Sequence, residues 1–189
     1  MTNRLTNTNA MEKLHRVSVV GTTGSGKTTM ARQIAQMIGA PHIELDSLHW
    51  EPNWVEVPLE IFRERVTRAL SGEHWVVDGN YGKVRDIVWS RADTVVWLDF
   101  PLRVVLARLT RRTFGRALYR EELWGGNREN LWTHFFTRDS LFLWLFQTYW
   151  RRKREYPMLF ALPENAHLRV VRLRTTREAE GWVEEVQVG

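Results

Sequence analysis

A short stretch near the start of the chain, Val17-Ser-Val-Val-Gly-Thr-Thr-Gly-Ser-Gly-Lys-Thr-Thr29, narrows the folds open to it more than any other. It contains G-x-x-x-x-G-K-[ST], with Gly21, Gly26, Lys27 and Thr28 in register. The β-branched run Val17, Val19 and Val20 leads into the glycines. Met30, Ile34 and Ile38 then follow at helical spacing, with Ala31 and Ala35 beside them. In a strand, glycine loop and helix, the glycines let main-chain N–H groups turn around an anion. The helix dipole directs its positive end to the same point. Gly21, Thr22, Thr23, Gly24, Ser25, Gly26, Lys27, Thr28 and Thr29 are therefore the predicted cradle for the phosphates of a nucleotide. Within it Lys27 is expected to reach the β- and γ-phosphates, and the Thr28 hydroxyl to sit on Mg²⁺.

The length, 189 residues, suits one domain with a full core. Hydrophobic residues at 43% and charged residues at 26% are those of a soluble globular chain. Without cysteine there is neither a disulfide framework nor a thiolate metal site, which agrees with a reducing, cytoplasmic setting. The net charge of +5, from 27 basic against 22 acidic residues, suits a polyanionic ligand. A nucleotide served by a few arginines is the favoured reading, and nucleic acid is the alternative. Residues 1–13 are polar, lack the apolar centre of a signal peptide and read as a flexible leader to a single domain over 14–189. The most apolar window, Leu141 to Phe146, is too short to span a bilayer.

Along the chain, Gly39 stands where a left-handed C-cap belongs and Pro41 forbids continuation of the first helix. The second strand, His42 to Asp46, delivers Asp46 at its carboxyl end, where open α/β sheets bind ligands. A turn-capping role is the competing reading of Asp46. Glu51 to Pro58 reads as a loop, and Pro58 opens a helix with Leu59, Phe62, Val66 and Ala69 on its apolar face. The third strand, His74 to Tyr81, delivers Asp78, the first candidate for holding Mg²⁺, with a plain Asp-Gly-Asn turn as the alternative. A short helix follows from Tyr81 to Arg91, with Arg85 directed across the substrate cleft. The fourth strand, Thr94 to Asp99, ends in a second-ranked metal-side acid, Asp99.

Leu102 to Thr113 is predicted as a helix with Leu102, Val105, Leu106 and Leu109 on the core. Its other face gathers Arg108, Arg111 and Arg112, like charges that repel unless a polyanion sits among them or the face is solvated. The segment around 113–128 combines Gly115, Gly125 and Gly126 with Arg116, Arg120 and Arg128, the composition of a lid that closes over phosphates. Glu129 to Tyr156 reads as one long aromatic helix. Its Leu141–Phe146 window is a candidate homodimer contact, and its basic end, Arg151 to Arg154, a weaker candidate for nucleic acid. A fifth strand, Leu168 to Leu173, a capping box at Thr175 to Glu178, and a closing helix with Ala179, Trp182, Val183 and Val186 complete the chain.

This order of elements resembles the P-loop nucleotide-kinase fold of adenylate and shikimate kinase relatives. The resemblance implies an α/β three-layer sandwich, with a five-stranded parallel sheet in the order 2-3-1-4-5 and a small helical lid. Leu45 to Trp50, Asp78 to Tyr81, Ala92 to Pro101 and the aromatic helix are similar to an adenylate-kinase-like bacterial group often labelled topology-modulation proteins. That label describes a phenotype and implies no chemistry. Asp46-Ser-Leu-His49 is similar to the Asp-x-Leu-His of gluconate kinases, with Asp46 in the place of the shikimate-kinase aspartate that touches the acceptor hydroxyl. Asp78-Gly79 is similar to the Asp-Gly of adenylate kinases, and Arg108 and Arg112 match the two arginines of the helix entering their lid. The chain departs after Gly79, where Asn80-Tyr81 replaces the Phe-Pro-Arg that helps hold AMP, so AMP is not carried over as acceptor.

The residues and the resemblance together imply an ATP- and Mg²⁺-dependent small-molecule kinase. It would pass the γ-phosphoryl group to a nucleotide, nucleoside or other small hydroxyl or phosphate acceptor. Lys27, Asp46, Arg108 and Arg112 are its expected catalytic residues, with Arg116 or Arg120 from the lid, and Thr28 and Asp78 its metal-side pair. The rival expectations are an ATP-binding regulator acting on DNA and an ATP hydrolase.

Overall fold

The computed structural model describes residues 14–119 and 141–188. The leader, most of the predicted lid and the first part of the predicted aromatic helix lie outside the described residues.

Seven strands are present among the described residues, β1 (Arg16–Gly21), β2 (His42–Glu44), β3 (Trp50–Glu51), β4 (Val55–Glu56), β5 (Trp75–Asp78), β6 (Thr94–Leu98) and β7 (Arg169–Leu173). Five of them form one parallel sheet in the order β2-β5-β1-β6-β7. Counted along the chain, that is the predicted 2-3-1-4-5. The helices are α1 (Lys27–Ile38), α2 (Leu45–His49), α3 (Leu59–Ala69), α4 (Arg85–Arg91), α5 (Leu102–Tyr119), α6 (Leu141–Phe160) and α7 (Thr176–Val188).

The central strands are buried along their whole length because helices cover both faces, and they read as β-branched runs for that reason. Alternation along β1 divides the core. Val17 and Val19 face a layer built with Met30, Ile34, Val105 and Leu109, while Val20 faces one built with Phe62, Val66, Trp75 and Trp97. Each fully buried side chain of this size contributes about 1.5–3 kcal/mol. α6 serves both layers, with Leu145 and Tyr149 in the first and Tyr156 in the second.

Several elements differ from the sequence expectation, each for a local reason. β2 stops at Glu44 and the chain turns at once into α2, so Asp46 lies in the first turn of a short helix rather than at a strand end. The loop before Pro58 holds a hairpin, β3 with β4, whose tip places Asn53 (φ 63) and Trp54 (φ 57) in the left-handed region. On α3, Leu59 is exposed and Leu70 completes the buried set with Phe62 and Val66. α5 runs on past Thr113 to Tyr119, so the first part of the predicted lid is continuous helix. α6 passes through Pro157, and its last turn is held by Tyr156 and Phe160 packed on Trp89 and Trp97. The cap of α7 forms as Thr175 Oγ1 accepts the Glu178 N–H at 3.1 Å, while the Glu178 carboxylate reaches back to the N–H of Arg174.

Candidate functional site

At the carboxyl ends of the parallel strands, the loop from Gly21 to Gly26 turns from β1 into α1. Gly24 (φ 79) and Gly26 (φ 92) take left-handed conformations, and a Cβ on Gly24 would lie 2.9 Å from the carbonyl of Val105. The Ser25 N–H closes on the Thr22 carbonyl at 3.0 Å, and the buried Ser25 hydroxyl has no hydrogen-bond partner among the described residues. Lys27 lies over the loop with Nζ 3.4 Å from the Thr22 carbonyl. Burial lowers its pKa to about 8, and the Arg152 guanidinium pushes the same way against the opposing pull of Asp78 and Asp46.

Thr28 Oγ1 donates to Asp78 Oδ2 at 2.7 Å, and His42 Nε2 lies 3.1 Å from the other carboxylate oxygen. Among the described residues no cluster of three or more His, Cys, Asp or Glu forms a metal cage. One hydroxyl and one carboxylate beside an anion cradle fit Mg²⁺, which keeps several waters and takes further ligands from phosphate. Asp99, at the end of β6, is occupied elsewhere. Both Nε and Nη2 of Arg172 donate to its Oδ2, and Lys153 Nζ lies 3.5 Å from its Oδ1.

A cleft of about 920 Å³ opens above the loop. Lys27, Thr28 and the α5 residues Arg108, Arg111 and Arg112 line it, together with Thr176, Ala179 and Val183 of α7. Its size suits a nucleotide. The predicted arginine cluster is not uniform. Arg108 donates to the Ser25 carbonyl at 2.9 Å and to Thr176 Oγ1 at 3.1 Å, and stacks on Phe100, so it braces the loop from within the cleft. Arg112 is half-buried and Arg111 exposed.

Outside the residues that line this cleft, Tyr81 Oη donates to Asp46 Oδ1 and the Trp50 indole N–H faces the same hydroxyl. Burial, then the Asp46 charge, pushes the Tyr81 pKa far up, so Tyr81 stays a donor. His49 is wedged against Tyr81 and Phe62, and burial lowers its pKa, which favours the neutral ring. A second, smaller cavity is bounded by Gly79, Asn80, Tyr81, Arg85 and Tyr156, with the Arg85 guanidinium 5.4 Å from the Trp89 ring centre.

The chain resembles known proteins in sequence over one part and in fold over nearly all of it. Residues 17–99 match the ATPase family associated with various cellular activities (AAA). Shikimate kinase from Acinetobacter baumannii, solved in complex with shikimate, is 20% identical and superposes with a TM-score of 0.56 over 95% of this chain and 95% of that one. Shikimate kinase from Bacteroides thetaiotaomicron is 16% identical, with a TM-score of 0.54 over 93% and 97%. A gluconokinase from Sinorhizobium meliloti 1021 is 18% identical, with a TM-score of 0.52 over 93% and 91%. No curated protein sequence matches the chain significantly. The fold is that of the P-loop NTPases.

The structure thus brings Lys27, Thr28, Arg108 and Arg112 to one P-loop cleft, with Asp78 bonded to Thr28 and Asp46 close enough to act on the Lys27 charge. Sequence reasoning missed Arg152, which it took as one of four cations on a basic helix end. Arg152 is buried, stacks on Trp144 at 4.6 Å, and has no carboxylate partner among the described residues. Its charge acts on Lys27, and that of Arg85 acts on it. The signal was its helical phase. Trp144, Thr148, Arg152 and Tyr156 are spaced by four, which puts Arg152 on the inward face with Thr148 and Tyr156. No described helix is long and apolar enough to cross a membrane.

Proposed function

We propose that the protein is an ATP- and Mg²⁺-dependent kinase that phosphorylates a small molecule. The observation that carries the reading is the Thr28–Asp78 pair at 2.7 Å beside Lys27 in a glycine loop, with a separately held carboxylate, Asp46, near enough to act on the Lys27 charge. The loop N–H groups and Lys27 bind the β- and γ-phosphates, and Thr28 and Asp78 hold Mg²⁺. The bound metal supplies charge neutralisation on those phosphates. The acceptor oxygen forms its bond to the γ-phosphorus as the bond from phosphorus to the bridging oxygen breaks, and that electron pair leaves with ADP. Asp46 orients the acceptor hydroxyl through the oxygen that Tyr81 leaves free, and takes its proton. Arg112 offsets charge on the transferring group, and Arg108 holds the loop that receives it.

The acceptor is a small hydroxyl- or phosphate-bearing molecule. Arg152, buried without a carboxylate partner among the described residues, and the half-buried Arg85 whose charge acts on it favour one that carries its own negative charge, because a buried cation beside a like charge is costly without an anion between them. Arg152 also removes one cation from the supposed basic patch, which weakens the DNA-binding alternative.

The decisive experiment incubates the protein with labelled MgATP and a panel of nucleotides, nucleosides, polyols and sugar acids. Stoichiometric formation of ADP and one phosphorylated acceptor is expected, with a loss of at least about 100-fold in the Lys27→Ala variant. Phosphate release at the same rate with and without every acceptor would replace the kinase by a hydrolase. Folded protein that takes up neither ATP nor GTP would end the nucleotide reading altogether.

A further inference from the structure

The strand ladder beside the phosphate loop stops short of the loop itself. β1 pairs with β5 as far as Val19 opposite Asp78, and the Gly79 N–H reaches the Val19 carbonyl at 3.4 Å. Beyond that point β5 turns away. Gly79 adopts φ 143, and a Cβ there would lie 2.8 Å from Cβ of Leu45. Gly21, the first residue of the loop, is buried, and a buried peptide group without a partner costs as much as a lost hydrogen bond.

The side chain of Asn80 fills this gap. Its Oδ1 accepts the Gly21 N–H at 3.1 Å, and its Nδ2 donates to the Gly21 carbonyl. The amide thereby makes the two bonds that a further strand residue would have made. Tyr156, buried on α6, adds a third bond that ties the amide to the helix, donating from Oη to Asn80 Oδ1 at 2.9 Å. Oδ1 faces the Gly21 N–H and Nδ2 the Gly21 carbonyl, so the turned-over amide would mismatch both main-chain contacts. Asparagine is the residue that meets these demands at this length. A carboxylate would set an oxygen against the Gly21 carbonyl, and a glutamine is one methylene too long.

We infer that Asn80 is a positioning residue for the phosphate loop, fixing both peptide groups of Gly21, and that Tyr156 of α6 anchors the Asn80 side chain against it. Asn80 acts through Gly21, whose own geometry is exacting, since a Cβ there would lie 2.8 Å from the Leu98 carbonyl. The inference rests on the proposed reading of the loop as a nucleotide-phosphate cradle.

The test uses the full chain and the variants Asn80→Ala, Asn80→Asp and Tyr156→Phe, with two readouts. The first is the hydrogen-exchange rate of the Gly21 amide without nucleotide. The second is MgADP affinity by calorimetry, measured well below each variant's melting temperature. Asn80→Ala and Asn80→Asp are expected to speed Gly21 exchange at least about tenfold and to weaken MgADP by about 10–100-fold. Tyr156→Phe, which removes one oxygen, should shift both in the same direction by about 3–10-fold. A purely structural role would lower the melting temperature and leave MgADP affinity of the folded variants at the wild-type value, and that result overturns the inference. Gly21 exchange within twofold of wild type in Tyr156→Phe and in the Asn80 variants that fold overturns it as well, whatever nucleotide does. If the Asn80 variants do not fold, Tyr156→Phe decides alone. Wild-type protein that fails to bind MgADP, with Gly21 exchange still accelerated in Asn80→Ala, overturns the kinase reading and leaves the bracing of Gly21 standing.

Discussion

Thr28 Oγ1 and Asp78 Oδ2 lie 2.7 Å apart, joining the first turn of α1 to the end of β5. His42 holds the second oxygen of Asp78 at 3.1 Å, so the carboxylate has one orientation, toward the loop. Asp78→Asn keeps the shape and removes the charge. The Mg²⁺ concentration giving half-maximal ATP turnover should rise by about 10–100-fold. An unchanged Mg²⁺ requirement in a folded Asp78→Asn protein would take Asp78 off the metal side.

Asp99 should answer the opposite way. Its carboxylate is buried between Arg172 and Lys153, whose side chains are each about one-third exposed. Asp99→Ala leaves two cations without their acid, and solvent screening of both reduces the full buried-pair cost to about 2 kcal/mol. Thermal denaturation should show that loss while the Mg²⁺ requirement stays put. A shifted Mg²⁺ requirement with normal stability would exchange the roles of the two acids.

What could be read from the sequence divides along a physical line. The loop, its flanking elements and the five-strand order were legible because each is written in local spacing: glycines at fixed offsets, β-branched runs, helical periodicity. Asp78 and Asp99 both sit at strand ends in the sequence, and only the neighbours brought by β7 and α6 separate them, one beside Thr28 and the other beside Arg172 and Lys153. Asp46 was found by position although its element was misread, because α2 begins where the predicted strand would have ended. Arg152 and Asn80 stayed hidden for a different reason. Helical phase could have shown Arg152 to face inward, but its charge effect on Lys27, like the contacts of Asn80 with Gly21 and Tyr156, spans a long sequence separation that no local pattern encodes.

Tyr81→Phe isolates the acceptor side. The Tyr81 hydroxyl donates to Asp46, and the Trp50 indole N–H backs that hydroxyl, so the variant frees the carboxylate to rotate while leaving the ring packed against His49 and Phe62. A hydrogen bond to a charged group contributes about 1.5–3 kcal/mol, so turnover should fall by about 10–100-fold. The apparent KM for ATP should not move, because the phosphate loop is untouched. Steady-state kinetics with both substrates varied checks this, and an ATP KM that rises with no loss in turnover would place Tyr81 on the nucleotide side.

Lys27 makes the nucleotide site sensitive to alkali. Burial lowers its pKa to about 8 from the ordinary lysine value of 10.5, and Arg152 contributes the next push. Phosphate favours the ammonium form, so MgATP affinity should be level below about pH 8 and fall toward tenfold per unit above it. Calorimetry in buffers of different ionisation enthalpy should register proton uptake on binding in that upper range. The native state holds this proton less tightly than the unfolded chain does, so between about 8 and 10.5 the unfolded state binds more protons. Over that window the contribution of Lys27 to stability rises with pH. Arg152→Gln removes the neighbouring cation and should carry the break in the affinity profile to higher pH, with the change in proton uptake moving alongside it. A break at the same pH in both proteins would mean that burial alone sets the titration of Lys27 and that Arg152 is not felt at the phosphate site.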